Sequence, residues 1–388
     1  MSDTFSHVTS KSWFSRMGSA FGGIITGIIL IIVASILLFW NEGRAVKRDK
    51  TLNEGIGLVL SVKPETVTPA NEGKLIHISG KAIVNDTLKD DLLNISTNAV
   101  RLERKVEMLQ WAEKSESKTR EKLGGGTETV TTYRYELAWS NKMIDSAKFR
   151  HPSGHENTLS FPVSSKTVTA QNVTIGAFSL NSSQIARIGS LKNQPLTNDN
   201  IVNGKFGDKH PIIIDGVMYV GSQTRDKVGD VRISLQIAQP GNVSIVARQI
   251  EKSFRPYKTT VGGTISLLQN DIVPADEMFQ TAVDANTTLT WVLRVAGFVM
   301  MLIGFKMTLR VLAVTASVIP ILGSIVGGAS TIVSFLLALI ISFFIIAIAW
   351  VFYRPLVGFA ILAVAILAAV ALVWRGKNSA PKAQLTTD

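Results

Sequence analysis

The chain has 388 residues, a net charge of +11, no cysteine and a positive mean hydropathy of +0.26. The lack of cysteine excludes disulfides, thiolate metal sites and cysteine nucleophiles. The basic excess forms no block interleaved with aromatic residues. It points to helix ends beside anionic headgroups and away from nucleic acid.

Apolar residues collect at 20–40 and 289–374, whereas 41–288 has the composition of an ordinary polar domain. Such a split is a membrane signature, and about 250 residues outside the bilayer can bury a core of their own. Residues 1–19 are expected as an N-terminal tail. Ala20 to Trp40 contains no charge, which is long enough to cross a hydrocarbon layer of about 30 Å. It runs into Phe39-Trp40-Asn41-Glu42 without a small-residue cleavage site, so it is expected to stay as an uncleaved signal anchor.

Residues 41–288 follow as a β-rich domain. Val100, Leu102, Val106 and Met108 alternate with charged residues, and Tyr133, Tyr135, Leu137 and Trp139 do the same. This period of two predicts half-buried strands. The polar stretch Glu113 to Thr129, with Gly124-Gly125-Gly126, is expected as a long flexible hairpin loop. Asp215-Gly216 signals a short hairpin between Ile212 and Tyr219. Pro240-Gly241 signals another, bringing Val231, Ile233, Leu235 and Ile237 opposite Val243, Ile245 and Ala247. Asp90-Asp91 is expected as a solvated turn. Pro274-Ala275-Asp276-Glu277 starts a helix, its acids suiting the helix dipole.

A second span is expected over 289–310, with Arg294 near one end and Lys306 and Arg310 at the other. Residues 311–329 carry Pro320, Gly323, Gly327 and Gly328 and are expected as an interfacial or broken segment. A third span follows over 330–353, then Arg354-Pro355, a fourth span over 355–374 and a C-terminal tail, 375–388. The fold class is thus an α-helical membrane part with four spans, one N-terminal and three C-terminal, plus a large β-rich α+β extramembrane domain. Trp13, Trp40, Trp291, Trp350 and Trp374 fall at the proposed boundaries, where amphipathic rings prefer to sit. Five spans is the rival count, if 311–328 also crosses. The loop charges favour cytoplasmic termini only narrowly, because Arg44, Lys47, Arg48 and Lys50 stand directly after the first span. Gly23 with Gly27, and Gly323 with Gly327, have the spacing that lets helices approach closely.

Few residues stand in patterns that carry chemistry. His151 and His155 are separated by Pro152-Ser153-Gly154 and lack a third ligand nearby, so no metal site or cofactor is assigned. HExxH, GxSxG, phosphate-binding and dinucleotide-binding glycine motifs are all absent. No catalytic residue is assigned, and a non-enzymatic role is favoured. Arg294 is weighed both as an interface anchor and as a functional charge inside a span, with Lys306, Arg310 and Arg354 as further interface charges. Sequons stand at Asn85, Asn94, Asn172, Asn181, Asn242 and Asn286. A eukaryotic lumenal domain would carry glycans there, and a bacterial one would not. The bacterial reading is preferred.

The sequence resembles the transmembrane protein 43 (LUMA) family. The likeness runs through Asn41-Glu42-Gly43-Arg44-Ala45, Asn71-Glu72-Gly73-Lys74-Leu75-Ile76-His77-Ile78 and Arg101-Leu102-x-Arg104-x-Val106-Glu107-Met108-x-Gln110-Trp111. It continues in Val228-Gly229-Asp230-Val231-Arg232-Ile233-Ser234, Val246-Ala247-Arg248-Gln249, Thr290-Trp291-x-Leu293-Arg294-x-Ala296-Gly297 and Phe352-Tyr353-Arg354-Pro355-Leu356. The resemblance implies four spans, termini on the cytoplasmic or nucleoplasmic side, and the large domain in the lumen of the endoplasmic reticulum or nuclear envelope. In a bacterium the membrane would be the inner one and the domain periplasmic. It also implies a role in membrane organisation, with links to emerin, lamins, lipid metabolism and ion conductance, and supplies no catalytic residue. The leading expectation is a multi-pass scaffold organising membrane-protein or lipid complexes. Its partners would be the bilayer, other proteins and further copies of itself. The alternatives are an ion channel or transporter subunit, and a membrane-associated enzyme of lipid or cell-wall metabolism.

Overall fold

The computed structural model describes residues 3–356 apart from 203, 208 and 210, together with 359 and 363. It divides into two units. One holds residues 3–10, 51–120 and 128–283; the other holds 11–50, 121–127 and the chain from 284.

The first unit is built on two sheets. The larger runs Asp3–Lys11, Thr127–Ser140, Arg101–Glu121, Val231–Ala238, Val217–Val220, Ile212–Ile214, with Lys166–Thr169 and Lys192–Gln194 as side branches. The second runs Phe178–Ser179, Val173–Ile175, Leu75–Val84, Asn242–Ile250, Ser253–Arg255. Leu267–Asn270 pairs with Asn242–Ile250, and Leu60–Ser61 lies parallel to Leu75–Val84. Leu102, Val106, Ile233 and Leu235 from one sheet share a buried core with Ile76, Ile78, Val243 and Ile245 from the other. A single helical turn, α2 (Ser182–Ile185), is closed by a capping box between Asn181 and Gln184.

Val231–Ala238 and Asn242–Ile250 do not form a hairpin across Pro240-Gly241: Ile233 pairs with Val106 in one sheet, while Ile245 pairs with Ile78 in the other. The first strand is buried on alternate residues, as one face requires. The second is buried at every position from Val243 to Ala247. Its Ile245 enters the shared core, and its Val246 packs on the opposite face against Leu52, Ile265 and Phe279. A strand covered on both faces belongs in the interior of a layered fold, so the chain changes sheets at 239–241.

The polar stretch 113–129 is strand for most of its length, since pairing continues to Glu121 and resumes at Thr127. Hydroxyl pairs Ser117–Thr131 and Thr119–Thr129, both 2.8 Å, and the ion pair Lys114–Glu136 hold the exposed arm. Gly124 and Gly125, with φ of +84° and +76°, turn its tip. Residues 3–11 are an edge strand, with Ser6 Oγ 3.4 Å from Thr132 Oγ1 and Phe5 stacked on His151. The sequence has no apolar alternation there to announce it. Asp90 is fully buried, ion-paired with Arg104, and accepts the Leu92 N–H at 3.0 Å; Asp91 alone is exposed.

Three further helices are long and apolar enough to cross a membrane: α1 (Trp13–Leu58), α3 (Ala275–Ala316) and α4 (Pro320–Tyr353). In the second unit they meet on Ala34, Leu38, Met301 and Ala338. α3 continues through Ala316, the chain reverses over 317–319, and Pro320 opens α4. The break expected over 311–329 is therefore three residues long, and Gly323, Gly327 and Gly328 lie inside α4. Three such helices occur among the described residues, where four spans were expected. The fourth span, 355–374, and the tail 375–388 lie almost wholly outside those residues.

Candidate functional site

The motif Asn41-Glu42-Gly43-Arg44 lies on α1, one helical turn of residues facing α3 and α4. Glu42, Gly43 and the pair Asn41 and Arg44, three residues apart, point to three sides of the helix, and each side meets its own partners. Glu42 is 2% exposed. Its carboxylate accepts Arg294 Nε at 2.7 Å and Nη2 at 2.8 Å, a two-pronged match between guanidinium and carboxylate. Trp350 Nε1 donates to the same carboxylate at 2.8 Å from α4. The Arg294 guanidinium also lies over the Trp291 ring at 4.8 Å and the Trp350 ring at 5.7 Å, the contact by which an aromatic face stabilises a cation.

On the next side, Asn41 is fully buried and donates to the Thr290 carbonyl at 3.0 Å. Arg44 donates to Asn286 Oδ1 and Thr290 Oγ1, both at 2.9 Å, and to Asn41 Oδ1. Asn286 returns a hydrogen bond to the Ala45 carbonyl at 3.1 Å. Gly43 completes the motif by absence: a Cβ there would stand 2.5 Å from Tyr353 Cζ. The ring of Tyr353 occupies the space that any other residue would claim. The four residues thus join α1 to α3 and α4 through charge, hydrogen bonds and close approach.

Farther along the same helices, Gly27 packs against Gly304. A Cβ on Gly27 would lie 2.6 Å from the Gly304 carbonyl oxygen, and Gly23 faces Met307 O at 3.6 Å. Gly323 lies against Ser317, whereas Gly327 has only Ala313 Cβ, at 3.8 Å. Lys306 and Arg310 line a groove of about 370 Å³ with Gly327, Ser330 and Thr331. Arg354 is exposed beyond the end of α4, where its backbone N–H bonds the Trp350 carbonyl at 2.8 Å.

The first unit holds a second polar cluster that the sequence did not announce. Ser61 and His77 are paired neighbours on parallel strands, with Ser61 Oγ 3.1 Å from His77 Nδ1. His77 Nε2 lies 2.9 Å from the Val273 carbonyl and 3.1 Å from Ser79 Oγ. The network fixes the protons. Ser244 donates to the Asp271 carbonyl and accepts the Val273 N–H, leaving Ser79 to donate to Ser244. A carbonyl only accepts, so Nε2 of His77 carries the hydrogen and Nδ1 accepts from Ser61. Burial holds the His77 pKa below its ordinary value, against the opposing pull of the Val273 carbonyl and Asp276. Ser61, His77 and Ser79 open on a groove of about 610 Å³, with Lys63, Asp276 and Phe279 on its other walls. Among the described residues no three His, Cys, Asp or Glu side chains come together to hold a metal ion. His155 instead stacks on Tyr135 at 4.0 Å, its Nδ1 3.1 Å from the His151 carbonyl.

The model of the family "Transmembrane protein 43" matches residues 108–355. Transmembrane protein 43 of Mus musculus is 31% identical over 90% of this chain and 90% of its own length. That of Homo sapiens is 31% identical over 90% and 88%, and the Drosophila melanogaster homolog 29% over 91% and 93%. No solved structure matches the chain significantly. The family model and the near full-length likeness agree: the chain belongs to the transmembrane protein 43 family.

Proposed function

We propose that this chain is a multi-pass membrane scaffold, organising membrane-protein or lipid complexes through its β-rich unit and its helices. One observation carries the reading: the polar groups around Glu42 and Arg294 are taken up by each other and by neighbouring backbone. They fasten three helices, and each charge of this cluster finds its partners within it. Arg294, the strongest argument for a channel, is neutralised by Glu42 in this arrangement. Residence in a bacterial inner membrane, with a periplasmic domain, fits the sequon asparagines. The amides of Asn181 and Asn286 donate to the Phe254 and Ala45 carbonyls, an arrangement a glycan would disrupt. The endoplasmic reticulum or inner nuclear membrane is the alternative. The test is capture from gently solubilised membranes. Stoichiometric protein or lipid companions are expected, and recovery of the bare chain alone would remove the reading.

A second reading, a membrane-associated enzyme acting on esters, draws on the open groove at Ser61 and His77. A neutral imidazole nitrogen accepting a serine hydroxyl proton is the geometry of nucleophile and base. A fluorophosphonate probe would label wild type and spare Ser61→Ala if that reading holds. Equal labelling of both, or of neither, would dismiss it.

A further inference from the structure

The groove between α3 and α4 near Lys306 has the opposite character to the Glu42 cluster. Lys306 and Arg310 stand four residues apart on one face of α3, both exposed. Like charges at that spacing repel, and among the described residues neither is ion-paired to a carboxylate. The rest of the groove's α3 wall is apolar: Ile303, which is 46% exposed, Met307 and Ala313. Two cations in such a setting call for an anion that brings its own apolar body.

The facing wall, on α4, refines the ligand. Gly327 leaves the groove open, and Ser330 and Thr331 line it. Both hydroxyls donate to the Gly327 carbonyl, at 3.0 and 2.9 Å. Their protons are directed into the helix and their remaining lone pairs accept. The site therefore offers charged donors for a phosphate and neutral acceptors for hydroxyl hydrogens. We infer that Lys306, Arg310, Gly327, Ser330 and Thr331 form a site for an anionic phospholipid whose headgroup carries free hydroxyls, of the phosphatidylglycerol class. The phosphate lies between the two cations, the glycerol faces α4, and the acyl chains follow the apolar surface past Ile303. This deepens the lipid half of the scaffold reading. Protein companions captured by a chain that retains no such lipid would refute the site and leave the scaffold standing.

The full chain is reconstituted in nanodiscs of equimolar phosphatidylcholine and phosphatidylglycerol, released, and read for retained lipid by native mass spectrometry. Retention of phosphatidylglycerol over phosphatidylcholine is expected, falling about fivefold for each cation lost in Lys306→Gln and Arg310→Gln. The charge-preserving pair Lys306→Arg with Arg310→Lys keeps it and serves as the check on folding. Gly327→Leu, which fills the groove and leaves both charges, loses it. Lys192→Gln, on an exposed strand of the other unit, keeps it. Retention that survives Lys306→Gln with Arg310→Gln, or survives Gly327→Leu, overturns the proposal. So does equal retention of both lipids, or displacement of the lipid by millimolar inorganic phosphate.

Discussion

The two polar clusters use similar chemistry to opposite ends. Around Glu42, a carboxylate, a guanidinium and an indole close one set, and beside it a second guanidinium, two amides and a hydroxyl close another. Around His77, the chain of hydrogen bonds ends at Ser61, whose hydroxyl is at the wall of an open groove. A closed set stabilises packing, and its value lies in what would be left unpaired if one member were removed. An open set leaves a group available to a ligand and contributes less to folding. Composition alone does not separate the two; connectivity does.

The largest test of this contrast is Glu42→Ala. It leaves the part-buried Arg294 without its carboxylate and is expected to cost about 3 kcal/mol, read as loss of thermal stability in detergent. Glu42→Leu combined with Arg294→Met should recover most of that loss, because no buried charge then remains unpaired. A double variant as unstable as Glu42→Ala would show that the pair is not a closed unit. Trp350→Phe removes one donor to the carboxylate and should cost about 2 kcal/mol in the same measurement. For the open cluster, pH provides the finer test. His77 is held below its ordinary value by burial, so the unfolded chain takes up a proton first, at about pH 6.5. Stability should fall as pH drops below that point, down to the folded value, and be fully present above it. In His77→Gln this part of the slope should vanish; an unchanged slope would assign it to other groups. Ser61→Ala should change stability least, by less than about 0.5 kcal/mol. A loss as large as that of Trp350→Phe would place Ser61 among the closed groups.

Much of the membrane part could be read directly, because long uncharged runs have few other uses. The Asn41–Arg44 motif could be identified but not explained, since its partners Asn286, Thr290, Arg294, Trp350 and Tyr353 lie more than 240 residues away. In the β-rich unit, the alternation of Val231–Ala238 was a sound signal for one buried face. The run Val243–Ala247 carried a second signal, burial on both faces, and reading the two strands as one hairpin discarded it. Asp90 was misplaced because its partner Arg104 is on another strand, and a pair of acids in isolation looks like a turn. His77 has no local mark at all. Its role depends on Ser61, Ser79, Ser244 and Val273, which only the sheet brings together.

The strand formed by residues 3–11 constrains how the chain can be threaded. It pairs with Thr127–Ser140, and the two flank α1 in the sequence with no other long apolar helix between them. One sheet cannot lie on both faces of a bilayer, so this pairing and a single crossing by residues 20–40 exclude each other. The cysteine-free sequence makes the choice measurable without background, because Ser6 and Thr132 are close enough to be replaced by a cysteine pair. A disulfide in Ser6→Cys with Thr132→Cys, formed in intact membranes, sets both strands on one face and removes that crossing. Labelling of the two cysteines from opposite faces instead frees the N-terminal strand from the sheet and keeps α1 as the first thread through the membrane.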